Sequence, residues 1–154
     1  KRRNSLAKID YNMEKLELIP NVSVGMFVLG DNINKYLNLP HTVEHIEDEY
    51  LSYDDYDFPE QYVSMWVENQ KIDTIHCDRY CFWQNENLIG MSYDRFLLLI
   101  GGQQPDVEDV CYLPISRDRG QNHKVYDFED FGLQIWVWRN KIRSVSITKY
   151  DSEE

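Results

Sequence analysis

Met65-Trp66-Val67-Glu68-Asn69-Gln70-Lys71-Ile72-Asp73-Thr74-Ile75 is answered 70 positions later by Ile135-Trp136-Val137-Trp138-Arg139-Asn140-Lys141-Ile142-Arg143-Ser144-Val145. Trp66 matches Trp136, Val67 matches Val137, Lys71 matches Lys141 and Ile72 matches Ile142. Each stretch opens on an aromatic and β-branched run, breaks at a polar Asn-containing turn, and resumes as a second alternating run. That is the pattern of a β-hairpin. Two matched hairpins in one chain point to an internal repeat.

A second similarity lies upstream of each hairpin. Val24-Gly25-Met26 precedes Leu29-Gly30-Asp31 and the run Ile33 to Leu39, while Ile89-Gly90-Met91 precedes Ser92-Tyr93-Asp94 and the run Phe96 to Ile100. The offset between Gly25 and Gly90 is 65 positions rather than 70, so the loops of the two copies differ in length. Both runs predict helices, over 31–39 and 92–100. Asp31 or Asn32 caps the first and Pro40 ends it, while Ser92 caps the second and Gly101 closes it. The remaining elements are a strand near 15–19, an acidic loop to Glu60, and a hairpin over 62–78 that a strand over 80–83 extends. A loop or strand covers 109–115, and strands occupy 126–128, 132–139 and 141–149. The fold class predicted is α+β: an antiparallel sheet with short helices on one face, built from a duplicated helix-plus-β-hairpin unit. The whole of 1–154 reads as a single domain, with the repeats at about 15–78 and 83–149.

Composition narrows the function. Hydrophobic residues make up 42% and aromatic residues 14% of the chain, too much for a disordered polypeptide. Twenty-seven Asp and Glu stand against 16 Lys and Arg, a formal net charge of −11. Such a surface repels phosphates and anionic headgroups, so neither nucleic acid nor membrane is an expected partner. A basic protein is. Acidity that serves solubility alone is the competing account. No run approaches the ~20 apolar residues of a membrane span. The three cysteines, Cys77, Cys81 and Cys111, are too few for a disulfide framework and read as reduced thiols, which favours the cytoplasm. A zinc site made of them with His76 is disfavoured, because His76 and Cys77 are adjacent and point to opposite faces of a strand. No metal or other cofactor is expected.

The pattern Gly90-Met91-Ser92-Tyr93-Asp94-Arg95-Phe96-Leu97-Leu98-Leu99-Ile100-Gly101 resembles a helix signature of the β-lactamase-inhibitor-protein and BamE-like group. That resemblance implies tandem units in which a short helical element precedes antiparallel strands, used as binding modules. The size, acidity and aromatic richness also resemble bacterial immunity proteins, which neutralise secreted or contact-delivered toxins.

The segment from Glu44 to Glu60 interleaves carboxylates with tyrosines. Tyrosines give rigid contact area at low entropic cost, and carboxylates pair bidentately with arginine. Glu44, Glu47, Asp48, Glu49, Tyr50, Tyr53, Asp54, Asp55, Tyr56 and Asp57 are therefore the candidate partner-binding residues, with a plain solvated loop as the alternative. Calcium binding fits poorly, since the glycine and terminal glutamate of an EF-hand loop are missing. His41 and His45 stand four apart but lack the order of a metalloprotease motif. Trp66 and Trp136 read either as core anchors of the two copies or, with Trp138, as a solvent-facing aromatic row. The one basic stretch, Arg117 to Lys124, is expected in a turn or loop.

No nucleophile elbow, phosphate loop or dinucleotide fingerprint occurs, so no catalytic residue is assigned. The sequence thus predicts an immunity or inhibitor protein, monomeric or weakly dimeric. It would occlude a basic toxin domain, such as a nuclease, without chemistry. A non-catalytic scaffold or envelope-assembly module is the second reading and an enzyme of another type the third.

Overall fold

Three two-residue turns set the strand pattern. Asn69 and Gln70, Gln84 and Asn85, and Arg139 and Asn140 all have positive φ, between 51° and 65°. Two consecutive left-handed residues make a type I′ turn, whose twist matches that of the strands it joins. The computed structural model describes residues 16–150.

Among these residues, β1 (Leu18–Ile19), β2 (Ser23–Val24) and β3 (Phe27–Val28) form a small sheet, followed by a 3-10 turn, Ile33–Tyr36. Then come β4 (Thr42–Glu47), β5 (Ser52–Phe58), β6 (Val63–Glu68) and β7 (Lys71–Cys77). A two-stranded ribbon, β8 (Phe82–Trp83) and β9 (Glu86–Asn87), precedes helix α1 (Tyr93–Leu99). The chain ends on β10 (Val107–Pro114), β11 (Gly120–Phe128), a 3-10 turn at Glu129–Phe131, β12 (Leu133–Trp138) and β13 (Lys141–Thr148). Eight of these strands share one sheet, in the order β10-β11-β12-β13-β7-β6-β5-β4, with every neighbour antiparallel. The protein is thus dominated by antiparallel sheet. No helix of the described residues is long and apolar enough to cross a membrane.

Several expectations need correction. The segment expected as an acidic loop is the β4–β5 hairpin, because its residues alternate in pairs across Asp48 to Leu51. The helix expected over 31–39 shrinks to the turn Ile33–Tyr36. Asn32, Asn34 and Asn38 favour turns over helix interiors, and Asn32 Oδ1 accepts from the Asn34 N–H at 2.9 Å. The strand expected to extend the hairpin instead forms the separate β8–β9 ribbon, and the Phe82 N–H donates to the Leu16 carbonyl at 2.9 Å. β11 begins at Gly120, so the basic stretch is strand from Gly120 to Lys124. The second helix forms as predicted: Ser92 Oγ accepts from the Arg95 N–H at 3.1 Å. Its end is a Schellman motif, with Gly102 N–H donating to Leu97 O at 2.7 Å and Gly101 N–H to Leu98 O at 3.1 Å.

Hydrogen bonds also correct the 65-residue offset. The Gly30 N–H donates to Ile72 O and the Gly90 N–H to Ile142 O, both at 2.8 Å. Ile33 N–H meets Gln70 O at 2.8 Å, as Tyr93 N–H meets Asn140 O at 2.9 Å. Gly30 rather than Gly25 therefore occupies the place of Gly90, an offset of 60, while the hairpins keep theirs of 70 (Ile72 to Ile142).

Alternation buries one side of the sheet. Val63, Met65 and Val67 of β6 and Leu133, Ile135 and Val137 of β12 are no more than 4% exposed. Ile33, Tyr36 and Phe96 enter the same cluster, together with Phe27, Phe58 and Phe128. Each fully buried Phe contributes roughly 1.5–3 kcal/mol of transfer free energy. Between β11 and β12 the chain turns through Gly132, at φ 66°, where a Cβ would collide with the Thr148 carbonyl and Asn21. Gly132→Ala is expected to cost about 1–3 kcal/mol, read as a lowered denaturation midpoint with an unchanged m-value.

Candidate binding surface

The other side of the same sheet is half-buried and carries the chemistry. A register shift after Trp66 in the β6–β7 pair recurs after Trp136 in the β12–β13 pair. It leaves Trp66 opposite Thr74 and Trp136 opposite Ser144, both indoles facing away from the core. The core-anchor reading of the tryptophans is thereby overturned, since strand alternation gives the inward places to Met65, Val67, Ile135 and Val137.

At one end of this face, Tyr53 of β5 packs on Trp66 with ring centroids 4.1 Å apart. Asp55 stands opposite Trp66 on one side and Glu44 on the other, and Asp57 stands opposite Ser64. Burial pushes the Asp55 carboxyl above the usual range, helped by the charges of Glu44 and Asp57. The indole Nε1 of Trp66 is buried without a hydrogen-bond partner among the described residues. Beside this stack, a depression of about 230 Å³ is lined by Asp57, Ser64, His76, Asp78, Tyr62 and Pro59 among others. His76 lies at its floor, hydrogen-bonded through Nδ1 to Ser146 Oγ at 2.8 Å across the β7–β13 junction. Burial holds the imidazole below its usual pKa, so it is neutral at physiological pH.

The far end of the face is basic. Trp138 lies under two guanidinium groups, Arg139 at 4.4 Å and Arg143 at 5.2 Å from the ring centroid. His123 stacks on the same indole at 6.2 Å, its pKa lowered by burial and then by Arg143. One sheet face therefore runs from carboxylates to guanidiniums. Sequence reasoning missed this second end; the signal was the Trp-x-Trp-Arg-Asn-Lys-x-Arg pattern from Trp136 to Arg143, in which the extra residue of the bulge brings Arg143 to Trp138.

Of the ten predicted binding residues, Glu44, Tyr53, Asp55 and Asp57 share the outer face with Trp66, by the alternation of β4 and β5. Glu47, Asp54 and Tyr56 lie on the opposite face. There His45 bridges Asp54 at 2.7 Å and Glu47 at 3.4 Å, and the Tyr56 ring sits 6.4 Å from Phe58. Asp48 organises the turn, its Oδ1 accepting from the N–H groups of Tyr50 and Leu51 at 2.7 Å each. Glu49 and Tyr50 form the exposed tip of the turn. The set is therefore one hairpin but not one surface. Asp78, which closes the depression, had no distinguishing sequence signal.

Other candidates disperse. Cys77 is buried against Cys81, which with burial raises its thiol pKa, while His76 faces the other way. His41 and His45 lie on an extended segment, and His41 Nδ1 meets Leu39 O at 2.7 Å. No group of three or more His, Cys, Asp or Glu side chains that could hold a metal occurs among the described residues. The chain matches no known protein-family model, no curated protein and no solved structure.

Because the folded-state pKa of Asp55 is raised, its contribution favours the fold below the ordinary carboxylate pKa and is lost as pH rises through the folded value. At neutral pH its ionisation costs the fold. Asp55→Asn is expected to raise Tm at pH 7, the gain closing as pH falls below about 4, as read by thermal denaturation across pH.

Proposed function

We propose that this chain is a non-catalytic inhibitor of the immunity-protein kind, which binds a cognate basic toxin domain and occludes it. The observation that carries the reading is the depression between Asp57 and Asp78. It offers two carboxylates and the exposed ring of Tyr62 to an entering arginine or lysine, next to the rigid Tyr53–Trp66 stack. Aromatic anchors beside a charge-lined pocket are what concentrates binding energy at an interface. A net charge of −11 steers a cationic partner towards the face. A nuclease, whose own cleft is cationic to hold phosphates, is the toxin class this chemistry fits best.

The same reading places the protein in a bacterial cytoplasm, where it would meet a contact-delivered toxin. Paired hydrogen bonds at Gly30 and Gly90, repeated bulges after Trp66 and Trp136, and repeated type I′ turns support an origin in two copies of one unit. In that unit a short helical element packs on the same sheet face in each copy, as in the β-lactamase-inhibitor-protein and BamE-like group.

The test is capture from the source lysate with the wild-type chain and with an Asp57→Asn/Asp78→Asn double variant. Wild type is expected to retain a basic protein, to block its toxic activity, and to release it as salt rises. The double variant should bind that protein at least about tenfold more weakly. Equal capture by the variant would remove the site. Retention of envelope-assembly proteins instead would favour the scaffold reading.

A further inference from the structure

We infer that β10 is a self-association edge, at which two copies of this chain pair antiparallel about a two-fold axis and join their eight-stranded sheets into one. Among the described residues β10 pairs only with β11, and no described strand covers its other side. Hydrogen bonding fixes which groups are free. The Ile115 N–H donates to Arg119 O at 2.9 Å, so odd-numbered residues face β11, and the N–H and C=O of Glu108, Val110 and Tyr112 point outward. The Val110 N–H accordingly finds only the side chain of its own neighbour, Asp109 Oδ1, at 2.8 Å.

This edge is also where apolar surface gathers. Val107, Val110, Tyr112 and Ile115 are 46%, 61%, 58% and 61% exposed within nine residues of chain. By alternation Val110 and Tyr112 lie on one face of the edge and Val107 and Ile115 on the other, and the Tyr112 ring lies over Gly120 of β11, where any Cβ would collide with it. An exposed edge strand with apolar side chains is a template for another strand, here over Glu108 to Tyr112, since Pro114 at the next outward position has no N–H to give.

Charge selects a second copy as the occupant, and sets its direction. Asp106, Glu108 and Asp109 crowd the start of β10, and the turn beyond its end carries Arg117 and Arg119 around Asp118, a net positive charge. An antiparallel copy lays each acidic end against the other's basic turn, whereas a parallel one would set like against like. The opposite edge, β4, has no such balance: Glu44, Glu47, Asp48 and Glu49 meet only His41 and His45. A two-fold axis normal to the sheet brings residues of the same face together. Centred on Cys111, it sets Val110 against Tyr112 and Val107 against Ile115 of the second copy. Centred one residue earlier, it would set Asp109 against Cys111 and Glu108 against Tyr112. The first register joins the apolar residues. It makes Cys111 its own neighbour in a non-hydrogen-bonded pair, where Cα atoms approach to about 4.5 Å, within disulfide reach.

The test is sedimentation of the full chain over a concentration series, with Val110→Lys and Arg119→Glu as variants. Val110 is exposed and its N–H is outside the ladder, so the lysine leaves the fold intact, checked by circular dichroism and Tm. Wild type is expected to dimerise, more weakly as salt rises. Both variants should raise the dimer dissociation constant, Val110→Lys by at least about tenfold. Copper–phenanthroline oxidation should cross-link wild type but not Cys111→Ser, since Cys77 and Cys81 are buried. A wild type that stays monomeric at its solubility limit, or a dimer untouched by Val110→Lys, overturns the proposal. A dimer broken by Val110→Lys but not cross-linked upholds the edge and overturns the Cys111-centred register.

Discussion

Everything in this protein hangs on a four-residue antiparallel pairing, Thr74 to Cys77 of β7 with Val145 to Thr148 of β13. Without it there would be two four-stranded sheets, each exposing a central strand. With it there is one sheet, and the register fixes which residues face the core. Ile75 meets Ile147 and Cys77 meets Val145 on the buried side, while His76 meets Ser146 on the other. A slip of one residue in β7 would send Ile75 to solvent and the imidazole into the core, so the pairing is strongly specified. The His76–Ser146 hydrogen bond marks the junction on the open face, and it is there that the acidic depression opens.

From that junction the two halves diverge outward in chemistry while matching in geometry. Trp66 and Trp136 follow the same bulge, and both indoles leave the core. One meets Tyr53 and the carboxylates of β4 and β5; the other borders His123, with the guanidiniums on neighbouring Trp138. The bulges and turns of the two hairpins match, and the side chains around them do not. Such an arrangement suits recognition of an asymmetric partner, because the two ends of one rigid surface carry opposite charge. Rigid placement on strands also reduces the ordering cost that a loop would add on binding.

The hairpins were legible because their signal is local: alternation on both sides of an Asn-containing turn needs no knowledge of the rest of the chain. Helix α1 was legible for the same reason, through Ser92 and Gly101. The β4–β5 hairpin was not. Its residues, from Thr42 to Phe58, are nearly all polar or aromatic with carboxylates on both faces, so no apolar period announces a strand. Only pairing with β6 orders them, and that is a tertiary effect. The acidic residues were therefore found as a set but placed as a loop, and their division between two faces was invisible. The tryptophans failed differently. A bulge is a one-residue event in hydrogen bonding, and hydrophobicity alone assigns an indole inward. Asp78 follows a buried cysteine and shares the depression with Asp57 only because β7 runs beside β6 and β5.

An open eight-stranded sheet has two edges, and their difference has consequences for assembly. Were both edges self-compatible, copies would add head to tail, β4 to β10, and that heterologous contact does not close: it grows filaments. Here β4 is flanked by Glu44, Glu47, Asp48 and Glu49, and β10 begins with Asp106, Glu108 and Asp109. In either orientation a β4–β10 contact therefore brings the carboxylates of β4 towards those of β10 along part of its length. The acidity of the β4–β5 hairpin thus guards its edge against this chain's own copies. What remains is the isologous β10–β10 contact, which closes after two copies. It leaves both acidic hairpins at the outer ends of the joined sheet, free of each other and open to solvent.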